Sequence, residues 1–317
     1  PITGMSIPGN IVCVKGKSHL VGEALKTAPP LLAAMEKYFA SPYPYDKLDL
    51  IAVPEFWPGG MENPGAITFA DGILLLDPAM VTVGQKRALA AVASHEIAHM
   101  WFGDLVTMEW WDDLWLNESF ASWMGDKIAH EVFPEYGLDV AAVRSASMAM
   151  VTDARPSTRA IRQPVAATDN LLQAADELAY SKGQAVLGMF EAWLGPETFR
   201  QGVIDYIQKN SWKNATAGDL WASLTAASKK DFASTMATFV DQPGVATVSA
   251  ELTMDCKLRL AQERFTTYGN PAGSEVWALP VAFKFADKTG TKTQTVMLDD
   301  KEMTIPLDSD GPAQWIM

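Results

Sequence analysis

The hydrophobic pattern of this chain changes once, at the turn-forming segment Asp241-Gln242-Pro243-Gly244. Before it, long stretches carry apolar residues at helical spacing, and after it, short alternating runs are separated by Gly, Asp and Pro. The 317 residues are enough for one large and one smaller domain. The pattern therefore predicts an α+β protein, mainly α, with a first domain over residues 1–242 and a whole or partial β-sandwich over residues 246–317.

The amino-terminal part mixes helical and strand patterns. Helical spacing runs from Leu20 to Phe39, and Leu48–Val53 has the composition of a buried strand. Two β-prone runs, Ala66–Phe69 and Ile73–Leu76, flank Asp71-Gly72, a dipeptide typical of hairpin turns. We therefore expect an α/β opening with a hairpin at Asp71-Gly72.

Further elements are predicted along the rest of the chain. Helical spacing is expected to dominate up to about Val240, and alternation beyond it. The predicted helices are Gln85–Phe102, Leu116 to about His130, Asp219–Ser228 and Phe232–Val240, and the predicted strands are Ala250–Leu260, Val276–Phe285 and Lys292–Leu298.

The helix predicted over Gln85–Phe102 contains His95-Glu96-Ile97-Ala98-His99, which fits the H-E-x-x-H pattern of zinc hydrolases. Residues four apart lie on one face of a helix, so both imidazoles can bind one metal ion. A catalytic zinc takes three protein ligands, and Glu118, at the start of the next predicted helix, is the candidate for the third. The sequence therefore predicts one Zn²⁺ per chain, bound by His95, His99 and Glu118.

Glu96 adjoins the first ligand but is not itself needed to bind the metal. A carboxylate at that position can take a proton from the attacking water and pass it to the leaving amine. We therefore interpret Glu96 as the general base. The other two histidines, His19 and His130, have no partners at ligand spacing and are interpreted as surface or structural residues.

Charge and composition limit the classes of partner that this chain is expected to bind. The net charge of -13 without clustered Lys and Arg argues against nucleic acid and is compatible with a cationic substrate. No apolar run approaches the roughly 20 residues needed for a membrane span.

Cys13 and Cys256 form no CxxC pair, so neither a disulfide framework nor a thiolate zinc site is indicated. The start, Pro1–Lys17, lacks a signal-peptide layout, but an upstream targeting segment could have been removed, so cytoplasmic and bacterial periplasmic or extracellular locations stay open.

Four motifs together resemble the gluzincin aminopeptidases of the aminopeptidase N and leukotriene hydrolase type. They are Gly59-Gly60-Met61-Glu62-Asn63, His95–Phe102 continuing into Gly103-Asp104-Leu105-Val106-Thr107, Trp115-Leu116-Asn117-Glu118-Ser119-Phe120, and Tyr180-Ser181-Lys182-Gly183. Their order and separations resemble the family over residues 1 to about 242, and the later strands resemble the small β-sandwich that follows in many members. The resemblance implies a thermolysin-like zinc metallopeptidase domain that removes single residues from the amino end of peptides.

The resemblance also implies roles for single residues. Glu62 is expected to bind the terminal ammonium of the substrate, and the Tyr180 hydroxyl to stabilise the oxyanion. Gly59 and Gly60 have no side chains to obstruct a peptide, so their backbone can pair with it as an added strand. Met61 and Asn63 complete this substrate-binding loop. The expected substrates are peptides with a free amino terminus.

Each of these features also has a purely structural interpretation. A Gly-Gly pair is typical of a plain turn, a single acid such as Glu62 of a solvated surface, and a tyrosine such as Tyr180 of a packed ring. Tryptophans near the metal helices are expected to pack in the core, and the arginines that follow to be solvated. The tryptophans are Trp101, Trp110, Trp111, Trp115 and Trp123, and the arginines are Arg155, Arg159 and Arg162.

Two features depart from the family pattern. Members usually carry Gly-Ala before Met61, so Gly60 is expected to loosen the loop and alter the preference for the first side chain. Full-length members also have an amino-terminal β domain and a carboxy-terminal helical domain, which the chain is expected to lack. Those domains, or a second copy of this chain, are therefore candidate partners, and substrate binding without them is expected to be weaker.

Three function classes compete. The first is a zinc aminopeptidase, the second an endopeptidase or epoxide hydrolase that uses the same metal, and the third a non-catalytic interaction module or weakly active fragment. Degenerate relatives of enzymes generally lose ligands, whereas His95, Glu96, His99, Glu118 and Tyr180 are all present here. The aminopeptidase is therefore favoured, with its preferred amino-terminal residue left open.

Overall fold

The computed structural model describes residues 1–166, 174–253, 255, 257–267, 270, 273–309, 311 and 313–317. Within them the chain is mixed at its amino end, helical in the middle and β-stranded at its carboxyl end. The fold is therefore mixed α/β with most helix before Val240, as predicted at this level. In the described part, no helix has the length and apolar character to span a membrane. Cys13 is a free thiol, and Cys256 lies outside the described residues.

A four-stranded sheet and a long helix form the amino-terminal part. Strands β1 (Ile11–Val12), β2 (Asp49–Val53), β3 (Gly60–Met61) and β4 (Ala66–Ala70) are arranged in the order β1-β2-β4-β3. The first two pairings are parallel, and β3 runs antiparallel to β4. Parallel neighbours need a crossover, which helix α1 (Gly22–Phe39) supplies between β1 and β2. The predicted α/β opening is confirmed.

The hairpin predicted at Asp71-Gly72 is wrong. After β4 the chain enters a short helix, α2 (Asp71–Leu74), and Ile73–Leu76 is not a strand. The sheet already places β2 on one side of β4 and β3 on the other. Because neither edge of β4 is free, a strand following it has no place to pair, which the local dipeptide does not reveal.

Two helices, α3 (Val83–His99) and α4 (Leu114–Val132), pack against each other at the centre of the helical part. A capping box starts α3: the Thr82 hydroxyl accepts from the Gln85 backbone N–H, and the Gln85 side chain accepts from the Thr82 N–H. Helix α3 ends at His99, before the predicted end at Phe102. Gly103, directly after Phe102, has a φ of 134°.

The other helices complete the main core. The prediction for Phe232–Val240 matches a helix of the same bounds, and that for Asp219–Ser228 begins two residues late. The remaining α-helices are α5 (Leu138–Asp153), α6 (Gly183–Leu194), α7 (Pro196–Asn210), α8 (Ala217–Ser228) and α9 (Phe232–Val240). A π-helical turn lies at Leu178–Lys182, and 3₁₀ turns lie at Ser18–Leu20, Trp111–Asp113 and Pro134–Tyr136. Two short strands, β5 (Val106–Met108) and β6 (Lys213–Ala215), form a parallel pair.

Most of the tryptophans predicted to lie in the core do so. Trp101, Trp115 and Trp123 are buried, and Trp111 is half-buried. The prediction is wrong for Trp110, which is 51% exposed and donates from Nε1 to the carbonyl of Val165 at 2.8 Å. Its ring therefore tethers a surface segment instead of filling the core.

The prediction of a solvated basic stretch is wrong for Arg159 and holds for the exposed Arg155. Arg159 is half-buried and pairs with Asp176 at 2.6 Å, and Arg162 pairs with Asp241 at 2.8 Å. The acidic partners lie far along the sequence, so spacing could not reveal them.

The two remaining histidines agree with their interpretation as surface or structural residues. His19 is exposed, and Nδ1 of the half-buried His130 lies 3.5 Å from a carboxylate oxygen of Asp139. Neither belongs to a metal-binding group among the described residues.

Beyond Gly244 the described residues form two three-stranded sheets in the orders β10-β9-β12 and β11-β8-β7. A small apolar core that includes Leu260 and Phe285 contains residues of both sheets. The single strand predicted over Ala250–Leu260 is wrong, because the chain reverses there into an antiparallel pair with Leu252 opposite Leu258. The strands are β7 (Ala246–Leu252), β8 (Lys257–Arg264), β9 (Leu279–Asp287), β10 (Gly290–Leu298), β11 (Glu302–Pro306) and β12 (Trp315–Ile316).

Candidate active site

The side chains of His95, His99 and Glu118 converge between α3 and α4. The two Nε2 atoms of the histidines lie 3.0 Å apart, and Oε2 of Glu118 lies 3.4 Å from that of His95 and 3.5 Å from that of His99. Ligand atoms about 2.0–2.1 Å from a tetrahedral zinc are separated from one another by about 3.3 Å. The nitrogen and oxygen donors and their separations therefore fit one zinc ion.

The imidazole rings are oriented by contacts on their far sides. Nδ1 of His99 lies 3.0 Å from the carbonyl oxygen of Phe102, and Nδ1 of His95 lies 3.4 Å from the Ser122 hydroxyl. A carbonyl only accepts, so Nδ1 of a neutral His99 must carry the hydrogen and leave the lone pair on Nε2. Such contacts behind a ligand fix the tautomer and orientation that metal binding requires.

Without a metal, the charges of neighbouring side chains shift the pKa values of Glu118 and His99. Burial raises the pKa of Glu118, but hydrogen bonds and charge from His95 and His99 outweigh it and hold that pKa well below its usual range. Burial lowers the pKa of His99, but the carboxylates of Glu62 and Glu118 more than compensate and raise it to about 10. In the metal-free site His99 therefore keeps an additional proton, and a divalent cation that binds there replaces this proton.

Glu96 is buried beside this group. Its side chain faces the same space as Glu62 and His99, with one ligand atom of each within 4.8 Å of the others. Burial raises the pKa of Glu96 to about 7, and its Oε2 has no hydrogen-bond partner in the described part of the chain. A buried carboxylate oxygen without a donor is costly, so the site favours an incoming proton donor at this atom.

The expectation that Gly60 loosens its loop does not fit its surroundings. A Cβ atom built on Gly60 would collide with Oε1 of Glu96 and lie 2.5 Å from its Cδ. The missing side chain therefore makes room for the carboxylate of Glu96. The sequence could not show this contact, because the two residues lie on different elements.

The loop predicted to bind substrate forms the edge of the amino-terminal sheet. Gly60 and Met61 make up β3, the last strand in its order, and the Gly59 carbonyl accepts from the Ala70 N–H at 3.1 Å. Among the described residues no strand pairs with the outer side of β3. Glu62 follows, with Oε1 4.0 Å from Nδ1 of His99, whereas Asn63 is exposed and donates to the Thr68 hydroxyl at 3.2 Å.

Tyr180 lies beside His95, in the π-helical turn Leu178–Lys182. Its ring is nearly parallel to that of His95, with centroids 6.1 Å apart. Burial, and then the negative charge of Glu118, raise the pKa of Tyr180. The hydroxyl therefore keeps its proton at neutral pH and can donate a hydrogen bond. The structure thus brings together every predicted ligand and catalytic side chain, together with Glu62.

Sequence reasoning missed three groups around the site. Burial raises the pKa of Asp104 to about 7, and its charge interacts with Glu62, Glu96 and His99. Ser119 and Ser122 contact the turn that carries Tyr180 and the ring of His95 respectively. Asp104 and Ser119 stand inside quoted motifs, but nothing in their spacing assigns them a contact.

Comparison with known proteins places the chain among peptidases. Residues 23–239 match the Peptidase family M1 domain. The chain is 37% identical over 295 residues to "Probable aminopeptidase 1" of Sulfurisphaera tokodaii, covering 93% of this chain and 37% of that protein. It is 39% identical over 276 residues to "Leucyl aminopeptidase" of Saccharolobus solfataricus, covering 87% and 34%. It is 36% identical over 279 residues to "Aminopeptidase M1" of Arabidopsis thaliana, covering 88% and 32%.

The chain thus spans about a third of the length of these relatives. The matched region includes both metal-site helices, the loop with Glu62 and the turn with Tyr180. Since the family model covers most of the chain, the protein belongs to peptidase family M1.

Proposed function

We propose that this chain is the catalytic unit of a zinc-dependent aminopeptidase. Its thermolysin-like catalytic domain occupies residues 1–242, and a small β-sandwich domain occupies residues 246–317. The observation that carries the proposal is the convergence of ligand atoms of His95, His99 and Glu118 within 4.8 Å, beside the buried Glu96, whose Oε2 has no hydrogen-bond partner in the described part. Family membership and the aminopeptidase names of the relatives support the same activity.

Each side chain of the site has its own role in the proposed hydrolysis. When bound by His95, His99 and Glu118, a zinc ion supplies Lewis-acid polarisation and lowers the pKa of water. Glu96 accepts a proton from the attacking water as the new C–O bond forms, and gives it to the amine nitrogen as the C–N bond breaks. The Tyr180 hydroxyl donates a hydrogen bond to the carbonyl oxygen as negative charge develops there.

Substrate binding uses the β3 edge and Glu62. An extended peptide can hydrogen-bond to the unpaired side of Gly60 and Met61, as in other cases of strand addition. The Glu62 carboxylate lies one residue beyond that edge and close to His99, where it can pair with a terminal ammonium. A free amino group is thus bound beside the metal centre, which restricts cleavage to the first peptide bond.

The test compares substrates with a free amino end and substrates with a blocked one, using the zinc-loaded chain as the enzyme. We expect hydrolysis of leucine p-nitroanilide, and no measurable hydrolysis of N-acetyl-leucine p-nitroanilide or of an internally quenched peptide blocked at both ends. The Glu96→Gln variant with full zinc content provides the background. Equal rates on free and blocked substrates would rule out the aminopeptidase in favour of an endopeptidase, and no hydrolysis of any of them would favour a binding module.

A further inference from the structure

The turn that carries Tyr180 is held by polar contacts on two sides. It is a five-residue π-helical turn, Leu178–Lys182, that leads directly into α6. Turns of this kind are rare and occur often at functional sites. Leu178 and Ala179 are each 1% exposed, so their backbone groups depend on protein partners for hydrogen bonds.

The first contact comes from α4. The Ser119 hydroxyl, which is fully buried, donates to the carbonyl oxygen of Ala179 at 2.5 Å. Ser119 directly follows the candidate ligand Glu118, and Ala179 directly precedes Tyr180. One hydrogen bond therefore joins the neighbours of a metal ligand and of a catalytic tyrosine.

Gly183 makes this approach of the turn to α4 possible. A Cβ atom built on Gly183 would collide with the Ser119 hydroxyl and lie 2.7 Å from its Cβ. The volume that a side chain at position 183 would need is filled by Ser119. The serine is thus enclosed between the two elements and has little freedom to move.

The second contact is a buried ion pair. Nζ of Lys182 lies 2.8 Å from Oδ2 of Asp153, which is fully buried at the end of α5. The same ammonium donates to the Gly244 carbonyl at 3.2 Å, and the Gly244 N–H donates to Oδ1 of Asp153 at 2.9 Å. The last residue of the turn is therefore fixed to α5 and to the segment that leads into β7.

We propose that Ser119 and Lys182 are positioning residues that hold the Tyr180 hydroxyl beside His95 and Glu118. Their own polar atoms contact Ala179, Asp153 and Gly244, so they act through the placement of the turn. The catalytic consequence rests on the proposed function, whereas the effect on the position of Tyr180 does not. Loss of either contact should therefore lower kcat while KM for a small substrate changes little.

The kinetic test is a pair of double-mutant cycles with Tyr180→Phe. Ser119→Ala and Lys182→Met should each lower kcat for leucine p-nitroanilide about tenfold in the parent chain and less than twofold in the Tyr180→Phe background. Lys127→Met is the matched control, because Lys127 on α4 pairs with Glu191 on α6 at 2.6 Å without contacting the turn. Equal losses in both backgrounds, or no loss in either, would overturn the proposal.

A spectroscopic test needs no enzymatic activity. The chain carries 3-fluorotyrosine at position 180, and its ¹⁹F resonance is recorded with and without zinc. Ser119→Ala and Lys182→Met should shift or broaden that resonance in both states, and Lys127→Met should leave it in place. Should one variant fail to fold, the other decides, and an unchanged resonance in a folded variant would contradict the proposal. If the parent chain hydrolyses nothing while the resonance shifts, the proposed function fails and the positioning stands.

Discussion

The ring of Tyr180 lies nearly parallel to that of His95, with an interplanar angle of 18° and centroids 6.1 Å apart. The two residues come from separate elements, the π-helical turn and α3. Burial and the charge of Glu118 raise the pKa of the phenol, so its proton is retained at neutral pH. A hydrogen-bond donor is therefore held beside the group formed by His95, His99 and Glu118, as the proposed role of Tyr180 requires.

Removal of this donor should slow the reaction without affecting the metal. Tyr180→Phe keeps the ring and loses the hydroxyl, and loss of one oxyanion donor typically lowers kcat about 10²–10³-fold. We expect that loss in kcat for leucine p-nitroanilide, with zinc content equal to that of the parent chain. Tyr136→Phe, in the 3₁₀ turn Pro134–Tyr136 where its ring stacks on Phe133, is the control and should retain full activity. A Tyr180→Phe variant with unchanged kcat would contradict the assigned role.

Among the residues that the structure describes, two groups that share His99 could hold a cation, and zinc binding can distinguish them. One is His95, His99 and Glu118, and the other is Glu62, Glu96 and His99. We expect that Glu118→Ala abolishes stoichiometric zinc binding at neutral pH, whereas Glu62→Gln and Glu96→Gln retain one zinc per chain. Atomic spectroscopy after dialysis gives the measurement. Loss of zinc in Glu96→Gln with retention in Glu118→Ala would reverse the assignment of ligands.

Glu62 should control recognition of the free amino end. Its carboxylate lies near His99 at the end of β3, and replacing it with an amide removes the charge that pairs with an ammonium. We expect Glu62→Gln to lower kcat/KM for leucine p-nitroanilide by about 10–10²-fold, because a hydrogen bond to a charged group contributes about 1.5–3 kcal/mol. Zinc content should not change. Glu55→Gln, an exposed acid in the connection between β2 and β3, should behave like the parent chain, and equal losses in the two variants would remove the specific role of Glu62.

The parts of this structure that could be predicted from sequence depend on short-range geometry. His95 and His99 share a helical face wherever that helix forms, so their pairing follows from their spacing. The α9 bounds followed from a periodic segment between turn residues. The choice of Glu118 as their partner needed a return connection between two predicted helices, which is less local.

The parts that could not be predicted depend on contacts between distant elements. Ser119 and Ala179 are 60 positions apart, and nothing in either local pattern shows that a hydroxyl meets a carbonyl. The sequence alone presents Gly60 as part of a loop, because its contact with Glu96 exists only once β3 lies against α3. The hairpin at Asp71-Gly72 failed for the same reason, since the pairing of β4 on both sides overrides a local turn preference.

Glu96 should also leave a signature in the pH dependence of stability of the metal-free protein. Burial raises its pKa from 4.5 to about 7, so between these values the folded chain binds more protons than the unfolded chain. The unfolding free energy should therefore fall as pH rises through that window, with the loss absent below about 4.5 and complete above about 7. Such a difference in pKa corresponds to a loss of about 3 kcal/mol as an upper value.

Glu96→Gln is neutral at every pH and should lack this contribution. The comparison uses the difference in unfolding free energy between pH 4.5 and pH 8, from urea titrations of metal-free protein, because the other titrating groups are common to both chains. We expect the parent chain to lose up to about 3 kcal/mol more than Glu96→Gln across this interval. Glu109→Gln, which alters an exposed acid after β5, should follow the parent chain. If Glu96→Gln also follows the parent, the carboxyl titrates normally, and a buried general base that is protonated near neutrality in the metal-free protein is excluded.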